Sequence, residues 1–446
     1  MIKTNITERL QKNPPLFLTM GFLAMIVGGS LLLMLPMSSS ENSFTPLLDS
    51  VFTATSSVCV TGLTTVDTAT HWSTFGHIVI ITLIQIGGLG FMTATSILAL
   101  ILGKRFTLSD RLIISEQMGM DNIKGMVKLI RYVIFSAFFI EGTGAILLMF
   151  SLVPQYGAKG IWYSVFHAIS AFCNAGFDLF GNSLLDYTFN PYIIGIISLL
   201  IIIGGLGFGV YMDISSKKTK FQMYSLHTKI VLVTTFLLII SMTIITFVLE
   251  SNNPSTLQNV GFFDRLTASF FQSVTLRTSG FQSMPQEQIL DSTAAMSIPY
   301  MFIGGSPGAT AGGIKTTTFA LLFIVLFNEI KGSEDIVCFH RRIRFFVVRR
   351  AISIFILALL WVSISTIILL IVEPYPFIDI LFEIVSAFGT VGLTRALTPH
   401  LQNLSKIIII LSMYLGRVGT MTVIFAFSEK NVKKGFKEAH GEVIIG

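Results

Sequence analysis

Charged residues are scarce in this chain. Only 12% of its 446 residues are Asp, Glu, Lys or Arg, and 52% are hydrophobic, whereas soluble domains carry about 25% charged residues. This composition excludes an ordinary water-soluble protein. No polar stretch is long enough to form a soluble domain, so we expect soluble regulatory parts to belong to another chain.

Residue clusters for catalysis or metal binding are also lacking. The three cysteines lie far apart without CxxC or metal-ligand spacing, which excludes a disulfide framework and a zinc site. An intramembrane protease needs paired Asp residues or a Ser with a His, and a metalloenzyme needs clustered His, Asp or Glu. The seven histidines are scattered. The sequence therefore predicts no enzyme.

Eight hydrophobic segments fill most of the sequence. Crossing the ~30 Å hydrocarbon core takes about 20 apolar residues. Segment 319–327 is too short alone, but it continues a broken apolar segment that begins near Ala294. The predicted spans are 16–35, 75–102, 127–150, 192–211, 230–249, 319–327, 345–372 and 407–427. We expect the first to be a membrane anchor, because it lacks a small-residue cleavage pattern.

Most of the 30 Lys and Arg residues lie at the two ends of the chain or between alternate spans. The positive-inside rule therefore predicts cytoplasmic termini. The net charge of +6 indicates a membrane surface and not nucleic acid, and segment 340–350 could bind an acidic partner or anionic lipid.

One pattern follows each odd-numbered span. Its copies are FTATSSVCVTGLT (52–64), FHAISAFCNAGFD (166–178), FFQSVTLRTSGFQ (270–282) and FEIVSAFGTVGLT (382–394). In each copy a Phe lies ten residues before a Gly. A helix this short must return to the side it entered, and such a backbone survives at membrane depth only inside protein or lining an aqueous cavity. The sequence thus predicts an all-α membrane protein with four helix–pore-loop–helix repeats and pseudo-fourfold symmetry around a central pore.

The predicted boundaries follow from the spans and the basic connections. Repeats 1 to 4 occupy 16–102, 127–212, 229–329 and 345–427, the cytoplasmic connections are 103–126, 213–228 and 330–344, and the termini are 1–15 and 428–446.

The pore loops suggest ion chemistry, because inward carbonyls can replace the hydration shell of K⁺. Glycine tolerates the left-handed backbone that aims them. No carboxylate ring accompanies the glycines, which argues against a divalent-cation filter. The predicted filter residues are Val60, Thr61, Gly62, Asn174, Ala175, Gly176, Thr278, Ser279, Gly280, Thr390, Val391 and Gly392.

A second glycine element follows each filter glycine: GGLG at 87–90 and 204–207, GGSPG at 304–308 and GRVG at 416–419. We expect it to open each even-numbered span, either for close helix packing or for function. In repeat 3 it begins GGSPGATAGGIKTTT (304–318), where Pro and the glycines should break the helix. A nucleotide-binding P-loop is a rival interpretation, but Ile314 precedes Lys315 where the motif requires Gly.

These motifs, together with QIGGLGFMT (85–93) and the ending GEVIIG, resemble the KtrB-type membrane subunits of the Ktr/Trk/HKT potassium transporter superfamily. The resemblance implies K⁺ uptake across a bacterial plasma membrane through the filter glycines, with Na⁺ a candidate activator and no covalent cofactor. Members with Ser in the first copy favour Na⁺, so Gly62 favours K⁺. It also implies a homodimer in lipid, seated on a KtrA-like cytosolic ring that binds nucleotide. A sodium-coupled or sodium-conducting transporter, or a scaffold, remains the alternative.

The resemblance further implies a gate beneath the filter. Its predicted residues are Gly304, Gly305, Gly308, Gly312, Gly313, Lys315 and Arg417. A charge at the middle of a span costs about 2.5–3.5 kcal/mol, which favours a functional role for Arg417. Arg277 could serve the pore or brace its pore helix through carbonyls, and Lys315 could be a gate charge or reach the cytoplasmic edge.

Other polar residues near the filter allow weaker predictions. His167 and Gln272 are expected to hydrogen-bond between pore helices. Glu383, with Asp49 and Asp264, could attract cations to an outer mouth. Glu141 is expected to bond another helix.

Overall fold

The computed structural model describes residues 14–90, 126–217, 220–333 and 335–427. Most of the predicted amino terminus, the end of the second span, most of connection 103–126 and the tail with its GEVIIG ending lie outside the described residues.

Each repeat begins with a long helix, which we call its outer helix. The four outer helices are Pro14–Leu33, Met126–Tyr156, Leu226–Glu250 and Phe345–Val372. All four contain stretches long and apolar enough to cross a membrane. Large apolar side chains such as Phe135 (74% exposed) and Ile371 (80% exposed) cover their outward faces. Such exposure fits lipid contact, because lipid tails impose no cost on apolar surface.

A short pore helix follows in each repeat. The pore helices are Leu47–Cys59, Lys159–Phe172, Phe262–Thr275 and Phe377–Gly389. At 1.5 Å per residue, helices of 13 or 14 residues cannot cross the bilayer. The repeated Phe is fully buried in copies 1, 2 and 4, but in copy 3 Phe271 is buried while Phe270 is only partly buried. In copy 3 the equivalent buried Phe therefore lies nine residues before Gly280, and not ten as the shared pattern suggested.

An inner helix completes each repeat, and within the described residues those of repeats 2, 3 and 4 are interrupted. The inner segments are Thr74–Leu89, Pro191–Leu206 with Phe208–Lys217, Asp291–Phe302 with Thr316–Ile330, and Asn403–Val418 with Thr420–Phe427. The break expected in repeat 3 is present. The continuous spans predicted at 192–211 and 407–427 are wrong, because the chain bends there by 93° and 89° at Gly207 and Gly419, whose φ angles are +93° and +91°.

The predicted second span is described only to residue 90, so the count of continuous spans is limited to the described residues. Within the described residues, four helices meet the length and hydropathy of a full span, or six if each bent pair is counted as one. The glycine element also lies at the end of the first inner segment in repeats 1, 2 and 4, and not at the beginning of the span as expected.

The remaining elements are short. They are helix Thr68–His71, the 3₁₀ turns Pro36–Ser38, Leu185–Tyr187, Phe221–Met223 and Thr398–His400, and strands Val337–Cys338 and Arg341–Arg342. The strands pair antiparallel, with Val337 opposite Arg342. The main hydrophobic core gathers around the pore helices, whose final turns contain almost only buried residues.

Candidate functional site

Every pore helix ends in a turn with the same backbone pattern. We call residues 60–62, 174–176, 278–280 and 390–392 the filter turns. The first and third residues of each turn have positive φ, and the middle residue does not. The first residues are Val60 (+57°), Asn174 (+59°), Thr278 (+62°) and Thr390 (+52°), and the third are the glycines. Three of the first residues are β-branched, for which this conformation is an outlier.

The four filter turns meet in a closed ring. A Cβ built on Gly62 would lie 2.5 Å from the Ala175 carbonyl oxygen, which is closer than real Cβ atoms approach. Each of the four filter glycines contacts the filter turn of the next repeat in the same way. The contacts are Gly62 to Ala175 and Gly176, Gly176 to Ser279 and Gly280, Gly280 to Val391 and Gly392, and Gly392 to Thr61 and Gly62. The structure thus brings all twelve predicted filter residues together and leaves no room for a side chain at the glycines.

Hydroxyl groups from the pore helices hold the filter turns. Ser56 Oγ accepts a hydrogen bond from the Gly62 N–H (3.0 Å), and Ser386 Oγ accepts one from Gly392 (3.2 Å). In repeat 2, Ser170 Oγ donates to the carbonyl of the residue after the glycine (2.8 Å), and Thr275 does the same in repeat 3 (2.7 Å). Sequence reasoning missed these residues, although Ser occurs six positions before the glycine in three copies.

The second glycine element allows close packing. A Cβ on its first glycine would overlap a carbonyl oxygen near the end of the same repeat's pore helix, at Gly87 with Val58, Gly204 with Phe172 and Gly416 with Phe388. The element therefore seats the inner helix against the end of the pore helix. The sequence left two interpretations of the element open, close helix packing and a functional role. Close packing accounts for its first glycine in these three repeats.

The break in repeat 3 forms an irregular segment, residues 303–315, which we call the intramembrane loop. Gly304 N–H donates to Ile314 O (2.8 Å), and Thr316 N–H donates to Gly305 O (3.0 Å). The segment follows a helix and not the strand that a P-loop requires.

Backbone hydrogen bonds join the intramembrane loop to repeats 2 and 4. Ser306 N–H donates to Gly205 O (3.0 Å), Phe208 N–H to Gly308 O (3.1 Å), and Gly313 N–H to Gly416 O (3.2 Å). Gly312 lies against the filter, because a Cβ there would overlap Thr390 Oγ1. All predicted loop glycines therefore lie in one segment that contacts a filter turn and two inner helices.

Two cations accompany the loop. The Arg417 guanidinium donates to Thr310 O and Gly87 O and to Gly88 O at 3.1 Å. It thereby joins repeat 4 to repeats 3 and 1. The Lys315 ammonium turns back onto its own loop and donates to Ala311 O at 2.8 Å and Gly312 O at 3.4 Å. Of the two roles left open for Lys315, the structure therefore does not support a reach to the cytoplasmic edge.

A cavity of about 460 Å³ lies beside these groups. The loop, the ends of the inner helices and the first and fourth outer helices line it, including Leu18, Gly308, Lys315, Ala351 and Arg417. It thus lies next to the glycine breaks of the inner helices.

The sequence model of the TrkH family, described as a cation transport protein, matches residues 3–434. The chain belongs to this family. It is 40% identical to Ktr system potassium uptake protein B of Bacillus subtilis, over 100% of this chain and 99% of the relative. It is 41% identical to potassium/sodium uptake protein NtpJ of Enterococcus hirae, over 100% of both.

The solved structure of the potassium transporter TrkH from Vibrio parahaemolyticus has the same fold, with a TM-score of 0.73 and 15% identity over 92% of this chain and 84% of that one. The resemblance seen in the sequence is confirmed. The protein is a multi-pass membrane protein of a cation transport family and not an enzyme. Among the described residues, no group of three His, Cys, Asp or Glu could hold a metal ion.

Three polar residues of the pore helices lie in environments that differ from those predicted. His167 Nε2 accepts from Leu179 N–H (3.4 Å), Gln272 bonds Gln286 (2.9 Å), and Glu383 accepts from Thr394 (2.7 Å) and Thr398. Each of these hydrogen bonds joins a pore helix to the loop that follows the filter turn of the same repeat. The bonds between pore helices predicted for His167 and Gln272 are therefore wrong, because their partners lie within the same repeat.

The predicted outer mouth of negative charge is also wrong in part. Glu383 is fully buried, and Asp49 pairs with Lys406 at 3.2 Å. Glu141, in contrast, bonds another helix as expected, accepting from Gln85 at 2.9 Å.

Arg277 braces a different partner from the one predicted. Its guanidinium donates to the Thr235 hydroxyl of the third outer helix at 3.3 Å, and within the described residues it has no hydrogen bond to a carbonyl oxygen. The side chain is buried, so it ties the third filter turn to the outer helix behind it.

Proposed function

We propose that the chain carries K⁺ into a bacterial cell through one pore, with the four filter turns as its selectivity filter. The closed ring of glycines is the observation that carries this proposal. A ring of backbone without side chains offers carbonyl oxygens, and these replace the water around K⁺.

The strained backbone supports the same function. Left-handed conformations at Val60, Thr278 and Thr390 cost roughly 1–3 kcal/mol each and persist only where the surrounding structure enforces them. Alternating left- and right-handed residues can aim successive carbonyls towards one axis. Hydroxyl groups fix each turn, as a filter that holds its shape without the ion requires.

The intramembrane loop and Arg417 form the proposed gate. The loop lies against the filter and hydrogen-bonds to repeats 2 and 4, while Arg417 joins it to repeat 1. A fixed guanidinium beside the pathway repels a permeating cation. Opening then requires these bonds to break, with Lys315 moving as part of the loop.

The relatives' names support the choice of ion and suggest partners. One is a potassium uptake protein of a Ktr system, and the other is a potassium/sodium uptake protein. We propose K⁺ as the transported ion and Na⁺ as its activator. We also propose cytoplasmic termini, a homodimer, and a cytosolic nucleotide-binding ring of separate subunits. Sodium-coupled or sodium-conducting transport by the same fold is the second candidate, because of the E. hirae relative.

Uptake in a bacterium without its own K⁺ uptake systems tests the proposal. Cells that express the chain, with and without a ring subunit, should grow at low K⁺ and take up Rb⁺, and added Na⁺ should raise the rate. If the protein is in the membrane and uptake does not exceed the empty-vector rate under any of these conditions, the proposal is wrong. Uptake of ²²Na⁺ that K⁺ does not suppress would favour the second candidate.

A further inference from the structure

The first residue of the second filter turn differs from its three counterparts. Val60 has no polar side chain, and the hydroxyls of Thr278 and Thr390 are buried without a hydrogen-bond partner in the described structure. Asn174 instead bonds two other parts of the molecule. Its Nδ2 donates to the Arg277 carbonyl, which immediately precedes the third filter turn, at 3.3 Å. Its Oδ1 accepts from the Thr310 hydroxyl at 3.1 Å.

Thr310 joins the intramembrane loop to the second filter turn, while Gly312 packs against the fourth. Thr310 shares its single hydroxyl hydrogen between Asn174 Oδ1 and the carbonyl oxygen of Phe172 at the end of the second pore helix (3.0 Å). Its N–H donates to Gly204 O (3.3 Å), and its carbonyl accepts from Arg417. Thr310 is fully buried and Asn174 is 1% exposed, so water cannot readily replace these bonds.

We propose that the Thr310 hydroxyl is a selectivity determinant that acts on the filter through the Asn174 side chain. This inference rests on the proposed function of the filter turns. Thr310 is a positioning residue: its hydroxyl fixes the Asn174 amide, and the amide fixes the second filter turn against the start of the third.

The connection has a consequence for gating. A loop that moves away from the filter removes the Thr310 donor from Asn174, so the second filter turn loses part of its support at the moment the gate opens. Selectivity therefore depends on the position of the loop, although no loop residue belongs to the filter.

Substitution of Thr310 tests the inference in the uptake assay. Thr310→Val keeps the side-chain shape and both backbone bonds but removes the donor. One neutral hydrogen bond corresponds to roughly fivefold in an equilibrium, so the ratio of Rb⁺ to ²²Na⁺ uptake should fall about fivefold. Thr310→Ser keeps the hydroxyl and should preserve the ratio. Ser306→Ala is the matched control, because the hydrogen bond that the structure describes for its buried hydroxyl is to Thr316, the first residue of the following helix (3.0 Å).

A double-mutant cycle identifies the route. In an Asn174→Ala background, Thr310→Val should not lower the uptake ratio any further. If the ratio instead falls by as much as it does in the wild-type background, the effect passes through the Phe172 carbonyl, and the proposed role of Asn174 is wrong. An unchanged ratio in Thr310→Val, with total uptake intact, would overturn the proposal. If Thr310→Val does not accumulate, the smaller Thr310→Ala is measured in the same way.

A second measurement does not depend on ion transport. K⁺ should raise the melting temperature of the purified wild-type protein more than Na⁺ does, and Thr310→Val should reduce this difference. If K⁺ and Na⁺ raise the melting temperature of the variant by the same amounts as that of the wild type, the inference is wrong. Failure of the wild type to distinguish the ions in either assay would instead contradict the proposed function itself.

Discussion

Replacing Gly62 by Ser should change which ion the protein prefers. At this position φ is +92°, and a Cβ would lie 2.5 Å from the Ala175 carbonyl oxygen, whereas ordinary contact begins at 3.4 Å. The carbonyl is backbone of the next filter turn and cannot rotate away. The new side chain must therefore push the second turn outward or distort the first.

The expected size of the change in ion preference follows from the strain of a left-handed Ser and from its overlap with the second filter turn. A left-handed L-residue costs roughly 1–2 kcal/mol, and functional-site strain of this kind reaches about 3 kcal/mol. Since 1.4 kcal/mol corresponds to tenfold, partial transfer of this strain to the K⁺-binding geometry should lower the preference for K⁺ over Na⁺ by about five- to a hundredfold. Gly392→Ser should be more severe, because its Cβ would overlap Thr61 O more closely.

Competition between Rb⁺ and Na⁺ in the uptake assay measures this preference. Gly195→Ser is the control, because a Cβ there meets nothing within 4 Å and the residue lies within an inner helix. An unchanged preference in Gly62→Ser, with normal amounts in the membrane, would refute the assignment of Gly62 to the ring.

Three further outcomes are expected. Deleting several residues of 308–313 should raise Rb⁺ influx, because the loop's bonds to repeats 2 and 4 are lost; reduced influx, with the protein present, would contradict a barrier role. Arg417→Gln should raise Rb⁺ influx several-fold by removing a fixed cation, and a rate at or below wild type would argue that Arg417 only supports the loop. Glu383→Gln should lower the melting temperature by disturbing the bonds from Thr394 and Thr398, at roughly 1–3 kcal/mol, without altering half-saturation for Rb⁺; weaker Rb⁺ affinity would restore an outer-mouth role.

The sequence was most informative where a local rule fixes the backbone. The four filter glycines could be located because the same short pattern recurs and because a left-handed turn favours Gly. The break in repeat 3 was equally accessible, since Pro and several glycines within a span leave few alternatives. These features depend on residues that are neighbours in the chain.

Contacts between distant segments could not be predicted. Arg417 was singled out by its charge, but its acceptor Gly87 lies 330 positions away. His167 and Gln272 were assigned to the wrong partners, because the loops after the filter turns carry no pattern that specifies their path. The bends at Gly207 and Gly419 were missed, since a glycine in an apolar segment is compatible with a straight helix as well as with a turn.

The inequality of the four repeats explains why a single chain contains them. In a ring of identical subunits, an Arg at the fourth-repeat position would appear four times around the pathway, and like charges in low dielectric repel strongly. Here the corresponding positions of the other GG elements include Gly88 and Gly205, and one guanidinium binds the carbonyls of Gly87 and Gly88 in repeat 1 and of Thr310 in repeat 3. Covalent linkage thus permits one Arg417 and one intramembrane loop beneath a ring of four similar filter turns.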